Sequence, residues 1–301
     1  MNELVFEETP RLPVRDPAGH KGTFGSVLVV GGCAHAPRTM LGGAMLAARA
    51  ALRAGAGRVI AAVPAPLAGD ALVILPEATV VALPCDASGE LNASGAAEAI
   101  DAALREATAI VVGPALGRSA AAEQVVMRLV ALGERPLVID ADAIRAFAAH
   151  QDAARDLRGT VVFTPHPGEA DALADALSLD IDAAERATRP AAAMALAQRL
   201  GAVVALKGHG TVTSDGLRAW RCAHGGAALA TGGSGDVLAG VVAAMFAQFG
   251  RSMGAGALAA LAVEVHARAG DLWAARHGDG GALAREIADL VPDAMMEMRR
   301  A

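Results

Sequence analysis

The chain has no tyrosine, and its aromatic content is only 3% of 301 residues. Its interior must therefore be built from Ala, Val, Leu and Met. Lysine is nearly absent as well. Lys21 and Lys207 are the only two, so arginine carries almost all the positive charge and each lysine stands out. Lys and Arg number 26 against 32 Asp and Glu, a net charge of −6 with no basic run; this excludes the usual footprint of a nucleic-acid binder. The three cysteines, Cys33, Cys85 and Cys222, form no CxxC pair and read as reduced thiols of a cytoplasmic protein. Long apolar runs are missing. One of the longest uncharged stretches, 237–250, has 14 positions, against the roughly 20 that a spanning helix needs, so no membrane partner is expected. The N-terminal residues are acidic and lack the basic-then-apolar order of a signal peptide. What is present is apolar: 54% hydrophobic residues against 19% charged, enough to offset the ordering entropy that keeps polar chains disordered.

Short Val- and Ile-rich runs at 27–30, 59–63, 79–83, 110–112, 137–139, 161–163 and 203–206 alternate with Ala-rich helical patterns, among them 43–54, 96–104, 120–132 and 184–200. Strands apolar on both faces and separated by helices predict an α/β fold, with a central, mostly parallel sheet flanked by helices. After residue 206 the pattern changes. Asp215-Gly216 between apolar runs predicts a hairpin, and 235–248, 254–276 and 283–299 read as helices. No linker or repeat divides the chain, so 1–301 reads as a single domain.

Ligands of open parallel sheets bind beyond the carboxyl ends of the strands, and five predicted strands run into unusual termini. These are Gly31-Gly32, 113–117, Asp140-Ala141-Asp142, 164–169 and 207–211. Together they suggest a long cleft, although turns need Gly and Asp in any case. Thr231-Gly232-Gly233-Ser234-Gly235-Asp236 precedes an apolar helix. Its glycines allow close backbone approach, and the first-turn N–H groups with the helix dipole make an anion hole of Gly232, Gly233, Ser234 and Gly235. Asp236 in that turn can act as base toward an attacking hydroxyl, or can simply favour a helix N-terminus. Lys207 can neutralise a polyphosphate, or can be a surface lysine. His166 between Pro165 and Pro167 either binds substrate or belongs to a rigid turn. Glu169 either caps a helix or helps hold Mg²⁺ through water. One of Asp140 and Asp142 is expected in a buried hydrogen-bond network. His35, His150, His266 and His277 show no metal-ligand spacing and receive no role. Neither GxGxxG after a predicted strand nor a P-loop is present.

The ordered set His20-Lys21-Gly22-Thr23-Phe24-Gly25, Gly113-Pro114-Ala115-Leu116-Gly117, Asp140-Ala141-Asp142-Ala143, Thr164-Pro165-His166-Pro167-Gly168-Glu169, Leu206-Lys207-Gly208 and residues 231–236 resembles the ADP/ATP-dependent NAD(P)H-hydrate dehydratase family, which has the ribokinase-like fold. That resemblance covers about residues 15–298. It implies repair of hydrated NADH or NADPH. A phosphoryl group passes from ADP or ATP, with Mg²⁺, to the C6 hydroxyl of the ring, and phosphate then leaves. It also implies that Lys207, Gly208, His209, Gly210, Thr211 and Gly235 contact the nucleotide, that Ala44, Gly117, His166 and Asp236 line the hydrated-nicotinamide site, and that Asp236 is the catalytic base. Family members are often homo-oligomers, which the Ala- and Leu-rich C-terminal helices would permit. Two departures stand out. The asparagine usual before Thr-Gly-Gly is missing from 225–230, and Ala115 replaces a glycine, a small change. The short stretch before the first motif leaves no room for the epimerase domain often fused to this one, so epimerisation is expected from another protein.

Two alternatives stand beside the dehydratase. A small-molecule kinase of the same fold would share Gly235 and Asp236 without needing residues 165–169. A non-catalytic nucleotide-binding protein fits the missing asparagine but not the retained Asp236.

Overall fold

Successive residues of a strand face opposite sides of a sheet, and here both sides are apolar. In β1 (Ser26–Val30) Val27 and Val29 enter one core, while Leu28 and Val30 enter another. The same division runs through β2 (Arg58–Pro64), β4 (Ala109–Val112), β5 (Leu137–Ile139), β6 (Val161–Phe163) and β7 (Val203–Leu206). A computed structural model describes residues 5–35, 37–150 and 152–300. The single-domain reading of 1–301 and the N-terminal reading therefore both include residues outside that set. With β3 (Thr79–Leu83), β8 (Val212–Ser214) and β9 (Ala219–Arg221), the strands form one nine-stranded sheet of order β3-β2-β1-β4-β5-β6-β7-β8-β9. Pairing is parallel from β3 to β7 and antiparallel from β7 to β9. The hairpin at Asp215-Gly216 is β8–β9, as the turn signal predicts.

One face is covered by α1 (Gly42–Arg53), α9 (Ser234–Phe249), α10 (Ala255–His277) and α11 (Ala284–Arg300). The other carries α3 (Ala93–Leu104), α4 (Ala120–Leu132), α5 (Asp142–Ala148), α7 (Pro167–Leu177) and α8 (Arg189–Leu200). The short α2 (Ala68–Ile74) and α6 (Ala153–Asp156) complete the helices. No helix among the described residues is long and apolar enough to cross a membrane.

Two helix starts differ from expectation. The pattern 184–200 is helical only from Arg189. Pro190 sits in its first turn, a position where the missing N–H costs nothing. The Arg189 side chain turns back to donate to the carbonyls of Ala184 and His209, at 2.9 and 2.8 Å. The pattern 96–104 begins earlier, at Ala93, because the Asn92 side chain accepts the Gly95 N–H and caps the helix.

The packing of α9 on α1 places the site. A Cβ on Gly240 would lie 2.1 Å from the Ala47 carbonyl oxygen, so only glycine lets α9 lie this close to the alanine face of α1. Gly240→Ala should push the two helices apart and cost about 1–3 kcal/mol, the usual range for overpacking. Thermal denaturation reads this as a lower Tm. An unchanged Tm would show that the helix pair slides freely and does not fix the site.

Candidate active site

The five strands with unusual termini, β1, β4, β5, β6 and β7, are consecutive in the sheet, so their carboxyl ends share one edge. They do not all open into one cleft. A cavity of about 760 Å³ is lined from the ends of β5, β6 and β7, from the loop after β9, and from the first turn of α9. Gly31 and Gly32 instead pack against the loop after β4. The Gly32 N–H donates to the Pro114 carbonyl at 3.1 Å, and a Cβ on Gly31 would lie 2.2 Å from the same oxygen. Their glycines serve close backbone approach.

Asp236 lies in the first turn of α9 and lines the cavity. Gly233, the N-cap, has φ 91°, which favours glycine. No side chain caps this helix. Ser234 N–H donates to Thr231 O and Val237 N–H to Gly233 O. The N–H groups of Gly235 and Asp236 have no partner among the described residues, which leaves them for an anion. A Cβ on Gly235 would lie 3.1 Å from Lys207 Nζ, so a cation stands beside the helix N-terminus. Burial pushes the Asp236 carboxyl up to about 7; Asp140 adds to this and Lys207 opposes it. The group is therefore poised near neutrality, the condition for an effective general base. On its other side Asp236 closes on α1: a Cβ on Gly43 would lie 3.0 Å from Asp236 Oδ1.

Lys207 directly follows β7 with 19% of its side chain exposed, so it is not a surface lysine. It donates to Asp140 Oδ1 at 2.9 Å and lies 3.7 Å from Glu169 Oε2. Burial works against its charge, but these two carboxylates outweigh it and raise the pKa above the ordinary lysine value. Asp140 is the buried member of its pair and also accepts from Thr164 Oγ1 at 2.7 Å. Asp142 instead accepts the Gly117 N–H at 3.0 Å and faces Arg118. Gly208, His209 and Thr211 line the cavity. Gly210, with φ 71°, forms the turn between them.

His166 belongs to a rigid turn and also borders the cavity. It is the N-cap of α7, where its Nδ1 accepts the Glu169 N–H at 3.3 Å, and it also lines the cavity. Glu169 returns the bond from the His166 N–H at 2.8 Å, a reciprocal capping box. Capping is thus what Glu169 does here. Its remaining contacts are with the His166 ring, at 3.3 Å, and with Lys207. No group of three or more metal-ligating side chains forms among the described residues.

Ala44 and Gly117 lie apart from the cavity wall. The Ala44 side chain is fully buried in the first turn of α1, so only its backbone can meet a ligand. Gly117, with φ 81°, lies beside Cys33. Ala115 proves less innocent than one methyl suggests. It adopts φ 58°, a left-handed conformation that glycine takes without strain and alanine does not. In the segment where the asparagine is missing, Asp271 accepts the Gly225 N–H at 3.1 Å and pairs with His224 Nδ1 at 3.0 Å. Two residues escaped the sequence reading. Arg189 holds the 208–210 turn, and His266 lies 3.2 Å from Ser234 Oγ beneath the α9 N-terminus.

A profile of the NAD(P)H-hydrate dehydratase family matches residues 27–293. An ADP-dependent (S)-NAD(P)H-hydrate dehydratase of Xanthomonas campestris pv. campestris is 37% identical over 290 residues, 96% of this chain and 94% of that protein. An ADP/ATP-dependent NAD(P)H-hydrate dehydratase of Bacillus subtilis, co-crystallised with ATP/Mg²⁺, superimposes with a TM-score of 0.78 at 29% identity, covering 96% of this chain and 95% of that one. A ribokinase-like superfamily protein of Enterococcus faecalis gives 0.77 at 26% identity, covering 97% and 93%. The chain spans about half the length of the bifunctional NAD(P)H-hydrate repair enzymes that it also matches.

Proposed function

The chain belongs to the NAD(P)H-hydrate dehydratase family, and we propose that it acts as an ADP-dependent (S)-NAD(P)H-hydrate dehydratase. One observation carries the reading. Asp236, with its carboxyl near neutrality, shares the first turn of α9 with free N–H groups and stands close to Lys207. Such a site can bind a phosphoryl group and deprotonate a hydroxyl next to it.

In this scheme the ADP phosphates rest on the Lys207–Thr211 segment and on the free N–H groups of Gly235 and Asp236; of the four residues expected to form the anion hole, Gly232 does not line the cavity and the Ser234 N–H is taken by the Thr231 carbonyl. Asp236 takes the proton of the C6 hydroxyl of hydrated NAD(P)H as that oxygen attacks the terminal phosphorus, and AMP leaves. The ring nitrogen then expels phosphate from C6. Loss of a proton from C5 restores the double bond. Hydroxide is a poor leaving group and phosphate a good one, which is why the nucleotide is consumed. Lys207, held by Asp140, supplies a fixed positive charge where phosphate charge accumulates. Of the residues expected around the nicotinamide half, His166 lines the cavity with Asp236, while Ala44 and Gly117 lie outside its wall. The residues present do not fit a protein-held Mg²⁺, since both Glu169 oxygens are engaged. Magnesium enters as the counter-ion of the ADP phosphates, part of the substrate. A reducing cytoplasm fits the three free thiols, and exposed Leu72, Val73 and Ile74 on α2 support self-association. The bifunctional relatives point to a companion activity on the same substrate, and an epimerase is the partner that reading names.

The test is to incubate the protein with hydrated NADH, Mg²⁺ and ADP. Absorbance of reduced nicotinamide should return only when the nucleotide is present. A stable phosphate ester of another small alcohol would mark a kinase instead.

His166 divides cap from contact. His166→Asn keeps a capping side chain but removes the imidazole. It should hold the Tm and raise KM for hydrated NADH, costing about 5- to 150-fold in kcat/KM if one buried hydrogen bond of about 1–3 kcal/mol is lost. ADP affinity should stay unchanged. Normal kinetics would leave His166 as a cap alone.

A further inference from the structure

The mechanism above leaves one buried histidine unused. His266 projects from α10 beneath the N-terminus of α9 and is 7% exposed. Its Nε2 lies 3.2 Å from Ser234 Oγ, and both residues line the cavity. Burial lowers its pKa to about 4, opposed by a backbone contact with Ser234 and assisted by the Lys207 charge. The ring is therefore neutral at working pH, with one nitrogen a donor and the other an acceptor.

Two arrangements satisfy this contact, and they differ at the cavity. If Nε2 accepts, it takes the only hydroxyl proton of Ser234, and Oγ presents lone pairs to whatever binds above. If Nε2–H donates, the Ser234 proton is released toward the cavity. A phosphate at the helix N-terminus repels the first arrangement and selects the second. We propose that His266 is a positioning residue: its Nε2–H donates to Ser234 Oγ and so aims the Ser234 O–H at the phosphoryl group held by the first turn of α9. This rests on the phosphate-binding part of the function proposed above. It extends the anion hole from backbone groups to a side-chain donor with a fixed direction, set from α10.

The test compares wild type, Ser234→Ala, His266→Leu, their double variant and His266→Gln, whose amide places an N–H near the Nε2 position. Ser234→Ala and His266→Leu should each lower kcat/KM for ADP by about 10- to 150-fold, the range of a hydrogen bond to a charged group, with little change in KM for hydrated NADH. The double variant should be no worse than Ser234→Ala alone, since both remove one contact. His266→Gln should recover most of the loss. A purely structural role would lower Tm and disturb both substrates alike. Ser234→Ala behaving as wild type, multiplying losses in the double variant, or a His266→Gln as impaired as His266→Leu would each overturn the proposal. If His266→Leu does not fold, His266→Asn replaces it, because its shorter amide cannot reach Ser234. If wild type repairs no hydrated NADH, the dehydratase reading fails by itself. Calorimetry with ADP on the same proteins then decides the Ser234–His266 question by the same pattern of losses.

Discussion

Asp236→Asn is expected to lower turnover by about 10²–10⁴-fold, the usual worth of a general base, while ADP still binds. The amide keeps the shape of the carboxyl group and cannot accept the hydroxyl proton. In wild type, kcat/KM should rise about tenfold per pH unit up to about 7, where the Asp236 carboxyl ionises, and level off above. The variant should lose that limb. Stability should move the other way. Because the folded-state pKa of Asp236 is raised, the ionised carboxylate carries a folding penalty that is absent below the unfolded value and complete above about 7. The Tm gain of Asp236→Asn over wild type should therefore grow from pH 4 to pH 8. Turnover within threefold of wild type would remove Asp236 from the chemistry. A Tm gain independent of pH would show that the group is not strained in the fold.

Lys207→Ala is the second large effect. Losing a charge-assisted contact to phosphate costs about 1.5–3 kcal/mol, so ADP affinity should fall about 10- to 150-fold, with binding of the dinucleotide less affected. The substitution also leaves Asp140 and Glu169 facing each other without their cation. Breaking a buried charge pair from one side is strongly destabilising, by about 3–5 kcal/mol where burial is complete. The Tm should drop, and the drop should shrink at low pH as Glu169, whose pKa burial raises, takes up a proton. Calorimetry showing unchanged ADP affinity would reduce Lys207 to a structural role.

What the sequence made legible followed from chemical contrast. Strands apolar on both faces announced a covered parallel sheet, and Asp215-Gly216 announced its closing hairpin. Lys207 and Asp236 stood out because a lone lysine at a strand end, and a carboxylate inside a glycine-rich helix start, are unusual in an alanine-rich chain. His266 could not stand out in this way. It sits among Ala262, Val263 and Ala269 on a buried helix, and only the docking of α10 under α9 brings it to Ser234, 32 residues away. The start of α8 was hidden for a related reason, since an alanine-rich run reads as helix although Arg189 and Pro190 begin it later. The left-handed backbone of Ala115 leaves no trace in composition or spacing. The adjacency of the five strand ends was also an inference until the order β1-β4-β5-β6-β7 placed them side by side. The sequence did not tell which of them open into the cavity and which pack on one another.

In the proposed reaction, phosphoryl transfer to the substrate hydroxyl precedes loss of that oxygen. Hydrated NADH prepared in ¹⁸O-water carries the label at the C6 hydroxyl. When the protein turns it over with ADP and Mg²⁺, the label should appear in inorganic phosphate, one ¹⁸O for each NADH and each AMP formed. Label released to water, with unlabelled phosphate, would overturn this order of steps, because the hydroxyl would then have left without ever being phosphorylated.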